Sequence, residues 1–69
     1  VRWRRCYNGY QLMNSKDEVI GTLWKDRGTW YAGRADAYGY TLDVTYHDYF
    51  IDAKATLAAR VVAHALEQS

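Results

Sequence analysis

The chain has 69 residues, a length that permits one domain. It has one cysteine, Cys6, which excludes an internal disulfide and any zinc site built on several cysteines. Its net charge of +1 is low for a dedicated nucleic-acid binder.

A domain this small is marginal without help, so stability must come from aromatic burial or from oligomerisation. The chain is rich in aromatics: three tryptophans, one phenylalanine and seven tyrosines. Seven tyrosines exceed what so small a core can hold. Several must be partly exposed, as amphipathic surface or as a binding face. No run of about 20 apolar residues exists, which predicts no membrane span. No hydrophobic run follows the basic start, which argues against a signal peptide and for a cytoplasmic protein. The first residue is Val, a start that processing, trimming or a non-AUG codon would each give.

Charge is distributed unevenly. Residues 1–34 carry a net +4 and residues 35–69 a net −3. Such asymmetry either creates a steering face or pairs up across the sheet.

Residues 1–6, VRWRRC, combine three arginines with Trp3. They read as a flexible basic arm that supplements a binding surface, or as a frayed terminus; if strand periodicity extends back from Tyr10, Trp3 pins the segment to the sheet. Asn8-Gly9 is a turn signal, read here as a bend because the preceding segment is short. Residues 10–13 fit a first strand, and Asn14-Ser15-Lys16-Asp17 a polar turn. In residues 18–24, Val19, Gly21 and Leu23 share one side and Ile20, Thr22 and Trp24 the other. Gly21 in mid-strand predicts a bulge or close packing against another group.

Asp26-Arg27-Gly28 is the turn of a hairpin, with Gly28 at the positive-φ position. In residues 29–35, Trp30, Ala32 and Arg34 lie on one side and Thr29, Tyr31, Gly33 and Ala35 on the other. The small pair Ala32-Gly33 invites a covering helix. Asp36–Gly39 is a further turn. Residues 40–46, YTLDVTY, alternate, with Tyr40, Leu42, Val44 and Tyr46 on one side, which predicts a half-buried strand. Residues 52–67 have high helix propensity and no interior Gly or Pro. Asp52 is the expected N-cap, Phe50 or Ile51 a staple at the helix entrance. Leu57, Ala58, Val61, Val62, Ala65 and Leu66 form the expected apolar stripe; Thr56, Arg60, His64 and Glu67 form the wetter side.

The fold expectation is therefore a single α+β domain over residues 1–69. A small antiparallel sheet of three to four strands (residues 10–46) packs against one C-terminal α-helix (residues 52–67).

No catalytic constellation emerges. His47, Asp48 and Asp52 are the best local group, but His47 and Asp48 point to opposite sides of a strand and Asp52 is explained as a cap. No metal site, no catalytic residue and no cofactor is expected. For nucleic acid, an antiparallel ribbon can enter the major groove and read bases through exposed side chains. Trp24, Lys25, Arg27, Trp30 and Arg34 on the hairpin, with Arg4 and Arg5 of the basic start, are the binding residues singled out. Stacking of single strands on Trp24 and Trp30 is a weaker variant. Exposed Tyr and Trp with a few Arg equally suit a protein interface, and the sheet edges suit strand addition.

The order of elements resembles the small DNA-binding domains of the AP2 and integrase arm-binding type. The likeness rests on Gly28-Thr29-Trp30-Tyr31-Ala32 opening a strand, and on Phe50 then Ala53 at a helix entrance, over about residues 19–66. It implies a sheet lying in the major groove and carries Arg27, Trp30 and Arg34 over as reading residues. The chain departs from that pattern in its long interval from Gly39 to Phe50, a strand carrying Asp43 in place of a cation, and an acidic helix entrance. The functional expectation is a small non-enzymatic binding module, a phage or bacterial accessory protein that binds double-stranded DNA through its sheet. The alternative is a protein-binding or inhibitor module, or a homo-oligomer that uses the exposed aromatics.

Overall fold

Short turns set the register of the sheet. The computed structural model describes residues 1–68, with side chains through Ala65. It contains five strands: β1 (Arg2–Cys6), β2 (Gly9–Met13), β3 (Val19–Asp26), β4 (Thr29–Ala35) and β5 (Thr41–His47). One helix, α1 (Phe50–Gln68), follows. Arg27 and Gly28 both have positive φ, 52° and 83°, the signature of a two-residue hairpin turn whose twist matches the strands. That turn pairs Asp26 with Thr29, Lys25 with Trp30 and Trp24 with Tyr31. Consecutive strands are all antiparallel neighbours in the order β1-β2-β3-β4-β5.

Residues 1–6 are not an arm. β1 pairs with β2 from Arg2–Met13 to Cys6–Gly9, so Tyr7 and Asn8 form the turn of a full hairpin. Three side chains tie β1 down. Trp3 packs against the core beneath Lys54, whose Nζ lies 5.3 Å from the indole centroid. Arg2 pairs with Asp17, and Arg4 bonds Gln11 across the strands. Gly9 admits no side chain: a Cβ there would stand 1.9 Å from the Leu23 carbonyl oxygen.

The helix covers one face. Ala53 and Leu57 on α1 are fully buried against Leu23 and Ala32. Gly21 lets the helix approach: the site of its absent Cβ lies 3.0 Å from Leu57 Cδ1, and the β2–β3 register also shifts beside it, where Leu12 pairs with Gly21 and Met13 with Val19. Trp3, Tyr10, Trp30, Phe50 and Val61 form a half-buried rim around this small core. Phe50, the first helical residue, packs on the sheet instead of stapling its own helix; its ring centroid lies 5.2 Å from Tyr10 and 5.0 Å from Trp30. Ile51 is 74% exposed and staples nothing.

Several expectations are corrected. α1 begins at Phe50, so Asp52 lies inside the first turn and is not the N-cap; its charge still suits the positive helix end. The buried stripe runs Ala53, Leu57, Val61, while Val62 and Ala65 are exposed and Arg60 and His64 are half-buried. The positions of the Leu66 and Glu67 side chains lie outside the described residues. Gly33 does not receive the helix. Its missing side chain makes room for β5, where a Cβ would meet Thr41 Cγ2 at 2.4 Å.

β5 is the least buried strand, not a half-buried one. Its alternation breaks at a bulge: Ala32 pairs with Thr45, Arg34 with Leu42, and Asp43 has a φ of 55°. Leu42 therefore shares the helix side with Arg34, while Val44 and Tyr46 lie on the other.

Leu57→Ala should cost about 3 kcal/mol, a large part of the stability of so small a domain, read as a lower urea midpoint at unchanged slope. Gly9→Ala should be at least as damaging, because its clash is with backbone. Gly28→Ala, which meets no atom within 4 Å but keeps a strained φ, should cost about 1 kcal/mol.

Candidate interaction face

The face of the sheet opposite α1 has no covering layer among the described residues. Pairing fixes what lies there. Trp24 is opposite Gly9 on one side and Tyr31 on the other, and Tyr31 is opposite Tyr46. These residues run straight across β2 to β5, with Cys6 of β1 continuing the row. Trp24 and Tyr31 stack with centroids 5.4 Å apart and planes within 10°. Tyr31 and Tyr46 meet edge-to-face at 5.2 Å. Tyr46 is 71% exposed at the sheet margin. The next row is polar: Arg4, Gln11 and Thr22, with Thr41 Oγ1 reaching Thr22 Oγ1 at 3.4 Å over the gap left by Gly33.

The seven residues singled out from sequence do not form one surface. Trp24 and Arg4 lie on the open face. Trp30 lies on the helix side, packed on Phe50, because it pairs with Lys25 and lies two residues from buried Ala32. Lys25 follows it, its Nζ 5.8 Å from the Trp30 centroid. Arg5 pairs with Tyr10 and shares the helix side. Arg27 stands exposed at the hairpin tip. Arg34 is held at the β5 bulge, where its Nη2 lies 2.7 Å from Asp43 Oδ2 and its Nε donates to the same oxygen at 3.0 Å. Sequence reasoning missed Tyr31 and Tyr46. The signal was present: a two-residue turn at Arg27-Gly28 dictates that Trp24 faces Tyr31 rather than Trp30.

The bulge also perturbs a carboxyl group. The Arg34 guanidinium, first by hydrogen bonding and then by charge, lowers the Asp43 carboxyl below 3.8; Arg60 and His64 add to this. Arg60 Nη1 also donates to the Asp43 carbonyl at 2.8 Å, tying α1 to β5. His47 is occupied too, its Nε2 lying 2.8 Å from Thr45 Oγ1. Among the described residues no group of three or more His, Cys, Asp or Glu could hold a metal ion. No described helix is long and apolar enough to cross a membrane.

No family model matches this chain, and neither a curated protein nor a solved structure matches it.

Asp43 has a depressed folded pKa, so its contribution to stability is present above the unfolded value of 3.8 and is lost as pH falls through the folded value. In Asp43→Asn, which keeps a residue tolerant of positive φ, the acid limb of a stability–pH curve should be shallower than in wild type below about pH 4. Urea midpoints measured from neutral to acidic pH would show this. Identical limbs would mean that the ion pair contributes nothing.

Proposed function

We propose that this chain is a small non-enzymatic binding module whose open sheet face seats on a protein partner. The supporting observation is the cross-strand row Trp24–Tyr31–Tyr46, left uncovered by the single helix. Tyrosine and tryptophan on a rigid sheet give large contact area with few rotors to immobilise, which is how interface hot spots are built. Arg4 and Gln11 supply a polar rim beside it.

Two features favour protein over nucleic acid. The first is charge. Only Arg2 and Arg4 bring cations to the open face; Arg2 is paired with Asp17, and Lys25 and Arg34 lie on the helix side. A sheet inserted in a major groove needs cations on its leading face. The second is ring orientation. Trp24 and Tyr31 each turn one face to the other, and Tyr46 meets Tyr31 edge-to-face, which reduces the flat ring surface open to a nucleobase. What remains suits apolar side chains.

Affinity capture from an extract of the source cells, then calorimetry with the captured protein, tests this reading. Tyr46→Ala should weaken binding about 30-fold, the loss of a hot-spot residue worth about 2 kcal/mol. Tyr38→Ala, exposed in the β4–β5 turn and off the face, should stay within about twofold of wild type. A parallel titration of labelled duplex DNA at about 50 and 200 mM salt should give no salt-sensitive binding. Tight low-salt binding that collapses at the higher salt would overturn the proposal in favour of a DNA-reading sheet.

A further inference from the structure

The two sheet edges differ in kind. β1 pairs only with β2, and β5 only with β4, so each has one unpaired side. β1 carries Arg2, Arg4 and Arg5, all exposed. β5 and its flanks carry no Lys or Arg; Asp36 precedes the strand, Asp43 lies within it and Asp48 follows it. Charge on an edge strand ordinarily prevents pairing with other chains. Here the guard is of opposite sign on the two edges. Two β1 edges repel each other through Arg4 and Arg5, whereas two β5 edges share only the acidic flanks Asp36 and Asp48, because Asp43 is paired with Arg34. A β1 edge and a β5 edge attract.

We propose that β5 of one copy pairs with β1 of a second copy, so that the chain assembles head to tail into a continuous sheet. The occupant of each edge is thus the opposite edge of an identical chain. Among the described residues, Asp48 makes no ion pair and neither do Arg4 and Arg5; Arg4 donates to Gln11, a neutral partner, so its charge is still uncompensated at the junction. The β5 segment beyond the bulge, Val44–His47, is the part that pairs. Upstream of it the Asp43 carbonyl is taken by Arg60. Because the meander has an odd number of strands, β1 and β5 run in the same direction. Pairing them parallel keeps every helix on one side and every Trp24–Tyr31–Tyr46 row on the other. The contact is heterologous, so it propagates unless its rotation closes a ring. One strand pair buries less than the ~1,200 Å² of a stable complex, so association is weak and shows at high protein concentration.

The inference concerns the edges and stands independently of what binds the open face. Sedimentation over a concentration series, at about 20 and 500 mM salt, tests it. The mean mass should rise past that of a dimer at low salt and fall back toward the monomer at high salt. Arg4→Glu/Arg5→Glu and Asp48→Lys, altering opposite edges at exposed positions, should each stay monomeric while keeping the wild-type circular dichroism. An equimolar mixture of the two variants should recover association, because each supplies the edge the other lacks. Monomer at all concentrations, growth that stops at a dimer, association that strengthens with salt, or a mixture that stays monomeric would each overturn the proposal.

Discussion

Leu57 against Gly21 is the contact on which the rest of the architecture depends. A glycine in the middle of β3 and an alanine in β4, opposite Leu23, let one slim helix come down onto the sheet. A helix is about 10 Å across with its side chains, whereas five strands span about 19 Å. One helix therefore covers β3 to β5 and leaves the β1 side to Trp3 and the stem of Lys54. The other face has no second layer among the described residues. The small core and the uncovered face are thus one fact: this chain has a single element with which to cover a sheet.

Aromatic residues solve the resulting shortage of buried area in two ways. On the helix side Trp3, Tyr10, Trp30 and Phe50 lean on the edges of an aliphatic core and shield it from water. On the open side Trp24, Tyr31 and Tyr46 lean on each other. The same residue types serve as a rim in one place and as a surface in the other, and strand parity alone decides which. Neighbouring tryptophans on one hairpin, Trp24 and Trp30, end on opposite sides because six positions that include a two-residue turn separate them.

Much of this was legible in the residues. The Arg27-Gly28 and Gly39 turns, the close-approach role of Gly21, the helix and the α+β class follow from local chemistry. Parity along β4 already put Trp30 and Arg34 on the side of Ala32; which side the helix takes did not follow, because Ala32 and Gly33 face opposite ways. Three further things were not legible. The β1–β2 hairpin looked too short to form because its support is tertiary, through Trp3 and Lys54. The β5 bulge was hidden because YTLDVTY alternates without a break; what forces it is Gly33 in the neighbouring strand and the Arg34–Asp43 pair, neither of which a single-strand pattern contains. Beyond the Trp24–Tyr31 pair that the turn dictates, the aromatic row depends on the β4–β5 register past the bulge, which propensity does not encode.

The stacking of Trp24 on Tyr31, with Tyr46 at its edge, has an optical consequence. Rings this close and this well oriented couple their electronic transitions, so the face carries its own signature in circular dichroism, superimposed on that of the backbone. Light absorbed by Tyr31 or Tyr46 passes to Trp24 before it is emitted. The row thereby makes the half-buried Trp24 indole sensitive to the uncovered face, so an event that parts Tyr46 from its neighbours alters the coupling signature of the row.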